Sequence, residues 1–331
     1  KNISVDSGVT LTVQSVISGN SAVNKIGAGT LALTGNNTYN GTTTITAGTL
    51  EIAATGRLNG GNYSANISNS GSFIIGSTNN QTLSGNISGA GSLTKNGSGV
   101  LTLSGNSSYS GATAINAGTM KLGTNGSISS SSAVSIASGA VFDTTSKSSF
   151  AIGTAGITIG VDISGAGFLT SNSITLGNGL TLSMGTATPL GTYNLWDTTG
   201  TVSGNFVTVN LQGQFTGSLS RSNITWSGTF GGYNFTLNQN TGNFTSALAA
   251  AQLFWTADGS SLGGSGTWNA TSTNWSSSDT AVSGSIWSSD STGVFKGTAG
   301  NVSVDNLTAN AGLSFETTGY TISSGTITLG G

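Results

Sequence analysis

The chain contains no cysteine and no histidine, and its single proline is Pro189. Without cysteine there is no disulfide, no thiolate nucleophile and no cysteine-ligated zinc. Without histidine, acid–base work near neutral pH would fall to carboxylates, lysine or tyrosine. Charge is almost as scarce: 8 Lys plus Arg and 10 Asp plus Glu make up 5% of the 331 residues, against roughly a quarter in ordinary globular chains. That balance offers no basic stripe for nucleic acid and no charge-driven disorder. No apolar run reaches the roughly 18 residues of a membrane-spanning helix, and no secretory leader is recognisable. Neither nucleic-acid binding nor membrane insertion is expected, and Lys1 reads as a processed terminus or an arbitrary start. Cysteine avoidance fits passage through a cell envelope, where stray disulfides obstruct export.

What is present is a Gly/Ser/Thr/Asn background carrying 35% hydrophobic residues in a regular pattern. The stretch from Ile17 to Leu50 aligns without a gap on the stretch from Ile87 to Met120. Lys25 pairs with Lys95, Leu31 with Leu101, Leu33 with Leu103, Tyr39 with Tyr109 and Ile45 with Ile115. A worn third copy begins at Ile163. Inside each copy the apolar residues alternate, as in Thr30-Leu31-Ala32-Leu33-Thr34, which is the period of a strand. Gly and Asn punctuate the strands, as at Gly35-Asn36-Asn37. Ser246 to Leu253 is the one weak helix candidate. Short strands at regular spacing suit a sandwich, a barrel or a parallel β-helix. Gapless duplication favours the last, because a coil of a solenoid contacts only its neighbours. Coils of about 20 to 25 residues, stacked about 4.8 Å apart, are expected.

The run from Lys25 to Leu50, K-x-G-x-G-T-L-x-L-T-G-x-N-T-Y-x-G-x-T-T-I-x-x-G-T-L, resembles the passenger-associated β-strand repeat of bacterial autotransporters. Lys95 to Met120 repeats it with departures at Val100, Ala112 and Met120. The segment Gly266 to Ser276, together with Gly293 to Val304, resembles the Trp-rich stretch that often precedes such repeats. The resemblance implies an all-β chain folded as a right-handed parallel β-helix, or β-solenoid, displayed outside a bacterial cell. It also implies a C-terminal membrane barrel, for which the sequence shows no pattern, and the export route is left open. Three regions are expected: a repeat-containing coil over 1–185, an aromatic-rich, more irregular segment over 186–252 continuing the solenoid, and a Trp-rich segment over 253–331 returning to solenoid strands.

Candidate sites are few. The ten acids (Asp6, Glu51, Asp143, Asp162, Asp197, Asp258, Asp279, Asp290, Asp305 and Glu316) form no tight constellation, so no catalytic residue, metal site or cofactor is assigned and the chain is read as no enzyme. Lys25 and Lys95 read as solvated turn lysines that discourage sideways strand pairing; a basic ligand track is the other reading. Tyr39 and Tyr109 read as covers over the turn beside Asn37 and Gly41, or as sugar contacts. Trp255, Trp268, Trp275 and Trp287 are either core filling or an exposed surface that stacks on cell-surface or matrix glycans. The two ends read as open coil edges: Ile3, Val5, Val9, Leu11 and Val13 at one, Tyr320, Ile322, Ile327 and Leu329 at the other. Joined on paper, Gly331 to Lys1 runs on as solenoid sequence, and the Trp-rich segment lies after the repeats rather than before them. The expectation is an extracellular or cell-surface structural subunit stacking head-to-tail with copies of itself, or forming part of a tandem array. A surface adhesin or glycan-binding passenger is the alternative.

Overall fold

The computed structural model describes residues 1–151, 157–162, 165–177, 179–184, 191–213, 216–230, 233–248, 252–257, 261–277 and 284–329. The described elements are β-strands, apart from one 3-10 turn at Asn59–Gly61. The chain divides into two compact units, Lys1–Ala247 and Leu248–Gly331.

The first unit opens as a coil with two short strands per turn in two parallel sheets, and from Asn62–Tyr63 a third sheet joins them. The first sheet stacks Asn2–Ser4, Val23–Ile26, Thr43–Ile45, Ile67–Asn69 and Ile87–Ser88. The second begins Thr10–Val13, Thr30–Leu33, Thr49–Ile52, Ser72–Ile75, Ser92–Lys95 and runs on to Thr208–Gly213. The third runs from Asn62–Tyr63 through Val100–Leu103 and Thr119–Leu122 to Trp196–Thr198. One coil carries the chain from Thr30 to Thr49 and another from Thr43 to Ile67, close to the turn length that the sequence implies. Parallel pairing places equivalent residues of successive coils directly over one another. Leu11 stacks on Leu31, Leu31 on Leu50, Leu50 on Phe73 and Phe73 on Leu93. Leu31, Leu33, Ile45, Leu101, Leu103 and Ile115 all point inward and are buried, because strand alternation turns every second residue into the coil.

The two repeat copies do not lie on the same sheets. In the first copy Val23–Ile26 pairs with Thr43–Ile45 in the first sheet, and Thr30–Leu33 with Thr49–Ile52 in the second. In the second copy Ser92–Lys95 pairs with Thr113–Ile115 in the second sheet, and Val100–Leu103 with Thr119–Leu122 in the third. From Lys25 the first sheet climbs three coils to Ile87–Ser88, and the next strand, in the second sheet, holds Lys95. The offset between the copies is therefore three coils plus one face.

Among the described residues before 185, the one antiparallel pairing is Ile157–Asp162 with Gly165–Ala166. Parallel coils continue past the expected boundary, and the step from Leu180 to Val209 is longer than those between the earlier coils. The chain then turns back as an antiparallel sheet of Gly191–Asn194, Asn243–Leu248, Tyr233–Asn238, Thr225–Phe230 and Ser220–Ser222. The weak helix candidate is corrected here. Asn243–Leu248 pairs antiparallel with Gly191–Asn194, and Gln252–Trp255 is a strand of the second unit; residues 249–251 of that stretch lie outside the described residues. Sheet hydrogen bonds outweigh the weak helical preference of its alanines. Ile163, where the worn third copy starts, is also outside them.

In the second unit, short and even parallel steps return after the tryptophans, from Gly293 to Leu313, from Asn301 to Thr321 and from Leu307 to Ile327.

A substitution pair tests the inward columns. Leu103 lies between Leu83 and Leu122 in the third sheet, and Leu103→Ala is expected to cost about 2–5 kcal/mol. The outward neighbour change Thr102→Ala is expected to stay within about 0.5 kcal/mol. Equal effects of the two in urea unfolding would refute the assigned register.

Candidate functional site

Each repeat copy builds a corner between two strands and stacks a second corner upon it. Gly48 and Gly118 sit at the upper corners with φ +65 in both copies, and a Cβ at Gly48 would stand 2.4 Å from the Gly29 carbonyl oxygen. Only glycine allows that approach.

The lysines of the motif belong to these corners, and their reading as solvated side chains is corrected. Lys25 is 0% and Lys95 1% exposed. The Lys25 Nζ donates to the carbonyls of Ile26 (3.0 Å), Gly27 (2.7 Å) and Ala47 (3.2 Å), the last in the corner one coil above. Lys95 donates to Gly97 and to Ala117 (3.3 Å) in the same manner. Each ammonium thus ties two stacked corners through turn carbonyls, of which Ile26 also accepts from the Val5 amide. Three acceptors around Lys25 match the three N–H groups of an ammonium; two around Lys95 match a neutral amine equally well. Burial lowers the pKa of Lys25 and pushes Lys95 down to about 8, since desolvation disfavours the charged form. A basic ligand track is excluded by the same burial, and by the placement of the two lysines on different sheets.

Tyr39 and Tyr109 are buried as well. Tyr39 shares a hydrogen bond with Thr43 (3.0 Å), which also meets Tyr63 (2.7 Å). Tyr109 meets Thr113 (2.6 Å), and Thr113 meets Ser131 (2.9 Å). Burial raises both phenol pKa values far above the usual range, so they stay neutral. The Asn37 amide oxygen accepts from the Ile17 amide (2.9 Å), and the Ser107 hydroxyl does the same for Ile87 (3.2 Å). These side chains satisfy the coil's interior and offer nothing to a sugar.

The tryptophans are likewise turned inward. Trp255, Trp268 and Trp275 are 0% exposed and Trp287 8%. Trp268 and Trp287 lie 4.7 Å apart in a T-shaped pair, and Phe295 packs 5.4 Å from Trp275. Trp255 and Trp287 donate to the carbonyls of Gly264 and Thr308. They form the core of the second unit, not an exposed stacking platform, because the indoles cover one another.

Among the described residues, Asn2–Ser4 and Thr10–Val13 each pair on one side alone, as do Leu313–Phe315, Thr321–Ser323 and Ile327–Leu329. Val5 is buried; Ile3, Val13, Tyr320, Ile322 and Ile327 are half-buried; Val9, Leu11 and Leu329 are exposed. Among the described residues no group of three acidic side chains gathers; Asp258 and Asp279, and the side chain of Asp162, lie outside them. Lys121 and Asp143, outward neighbours in adjacent coils, form an ion pair at 2.7 Å.

The fold defines a parallel β-solenoid whose repeated unit is a stacked, lysine-tied corner. Residues 23–52 and 93–122, which are those corners, match the family described as passenger-associated-transport-repeat. These two stretches therefore carry the repeat of autotransporter passengers, which points to the cell surface or the outside of the cell. It is 41% identical over 88 residues to a protein named adhesin BmaC autotransporter of Brucella suis biovar 1 (strain 1330). The matched stretch is 25% of this chain and 3% of that protein's length.

Lys95 makes a pH prediction. Its folded pKa of about 8 lies below the ordinary 10.5, so between these values the unfolded state binds more protons and stability rises with pH. The desolvation cost is present in full below pH 8 and relieved on approach to 10.5. Lys95→Met is expected to lose about 1–3 kcal/mol at pH 7, from the two unpaired carbonyls, and to abolish this part of the rise. An identical pH slope in thermal unfolding of both proteins would refute the assignment.

Proposed function

We propose that the chain is a non-catalytic structural element of a surface passenger, stacking head-to-tail through its open coil edges. The observation that carries this reading is the pair of ladders that stop with one side unpaired while apolar side chains remain uncovered. Val9 is 51% exposed, Leu11 41% and Leu329 68%. The partners of Leu11 and Leu329 one coil inward, Leu31 and Ala309, are both buried. An exposed edge of parallel strands is a template for another strand of the same kind, and a heterologous contact that does not close propagates. The incoming coil comes from a second copy or from further coils of one longer polypeptide. A non-catalytic role is supported by the absence of His and Cys from the sequence and the scatter of its acids.

A second reading, an adhesive passenger, draws on the relative named as an adhesin. The two are compatible: a stack of coils displays an adhesive surface at a distance from the membrane.

The test is sedimentation velocity over a concentration series, with electron microscopy. The wild-type chain is expected to form end-to-end assemblies. Leu11→Lys and Leu329→Lys, which place a charge on each edge, are expected to sediment as monomers. A wild-type chain that stays monomeric at high concentration would sink stacking between copies and leave continuation within one polypeptide.

A further inference from the structure

The repeat pattern fades after the second copy, and there the second sheet changes shape. Its strands lengthen from three or four residues to six at Ile157–Asp162, Gly179–Met184 and Thr208–Gly213. Along this widened stretch runs a groove of about 390 Å³ across five successive coils, from Asn116 to Gln212. The backbone at its middle is closely packed. Gly160 carries no side chain, and a Cβ there would stand 2.7 Å from the Ser138 amide nitrogen. Ala137 beside it is small. Longer residues, Asn116 and Gln212, both exposed, stand at its two ends.

The lining is chemically uniform. Thr158 stacks on Ser135, while Ser183 stacks on Gly160 and Gln212 on Ser183, so that two outward columns of hydroxyl and amide groups follow the coil axis. Ser135, Thr158, Ser183 and Gln212 make no side-chain hydrogen bond among the described residues. Their donors and acceptors are left to whatever lies in the groove. No lining residue carries a charge. Ile136 and Met184, which also border the groove, are buried in the core beneath it.

From this we infer that the groove binds a linear, uncharged glycan lying along the coil axis. The free hydroxyls of Ser135, Thr158 and Ser183 and the free amide of Gln212 suit a ligand that presents a row of hydroxyl groups. An uncharged lining gives no attraction to phosphate, sulfate or uronate groups. The binding groups also recur at the right interval: coils are spaced about 4.8 Å, close to the length of one sugar unit, so five coils accommodate roughly four units. The inference rests on the adhesive reading of the passenger, and it moves the glycan contact from the buried tryptophans to this face.

The experiment titrates the full chain with neutral oligosaccharides of two to six units (gluco-, manno- and N-acetylglucosamine series), followed by saturation-transfer NMR and calorimetry. A sulfated and a uronate polymer serve as anionic comparisons. Affinity is expected to rise with length to about four units and then level off, with little dependence on salt. Ser183→Tyr, which fills the groove, is expected to weaken binding at least tenfold, and Gln212→Ala severalfold. Thr102→Tyr, at an outward position away from the groove, is expected to leave binding unchanged, with circular dichroism confirming that all variants fold. Absence of binding by every neutral series, binding unmoved by Ser183→Tyr, or salt-sensitive binding of the anionic polymers alone would each overturn the inference. A separate arm measures adherence of the chain to coated matrix and cell surfaces. Adherence that survives Ser183→Tyr leaves the adhesive reading standing and removes the groove. Oligosaccharide binding without any adherence does the reverse.

Discussion

Parallel stacking of like upon like is the constraint on which the rest of this protein depends. In the first unit each residue of a coil lies over its counterpart one coil below, at the spacing of hydrogen-bonded strands. A column is therefore stable only if its residue type tolerates itself as a neighbour. Inward columns such as Leu11, Leu31, Leu50, Phe73 and Leu93 satisfy this with aliphatic and aromatic side chains. Outward columns satisfy it with Thr, Ser and Asn.

The same constraint explains why only 5% of the residues are charged. Equal charges directly opposite on adjacent strands are destabilising, so a duplicated coil with a lysine on its outer face would set that lysine against its copy. Where charges do meet, they alternate in sign, as Lys121 over Asp143. Where a lysine is repeated, its partner copy stands on another face. Lys25 and Lys95 are three coils and one face apart, and each is surrounded by carbonyls rather than by its twin. The offset also turns each successive copy about the coil axis, so a feature of the motif appears on different sides and not as a stripe.

The corners are where backbone geometry and side-chain chemistry meet. A sharp turn leaves carbonyls without amide partners, and Gly48 lets one corner descend onto the one beneath. The buried ammonium groups then pair the leftover carbonyls of both corners. This makes the repeat a self-contained stacking unit, which accounts for its duplication without a gap.

Strand content, coil length and the inward set were legible in the sequence, because alternation and the gapless repeat follow from backbone periodicity alone. Leu31, Leu101 and Ile115 needed no tertiary information to be placed inside. The sequence by itself also marked turns, as at Gly35-Asn36-Asn37 and beside Lys25, but not which of them stack. What lay on the inside of a corner was not legible: Lys25 is a charged residue beside glycines, which on composition alone reads as solvated. Its burial depends on the distant carbonyl of Ala47, which arrives only when the coil closes. The tryptophans are a similar case, for whether an indole faces water or another indole is set by distant strands. The groove between Asn116 and Gln212 draws on five coils. Only stacking brings those residues side by side, because local periodicity fixes which way a side chain points but not what stands above it.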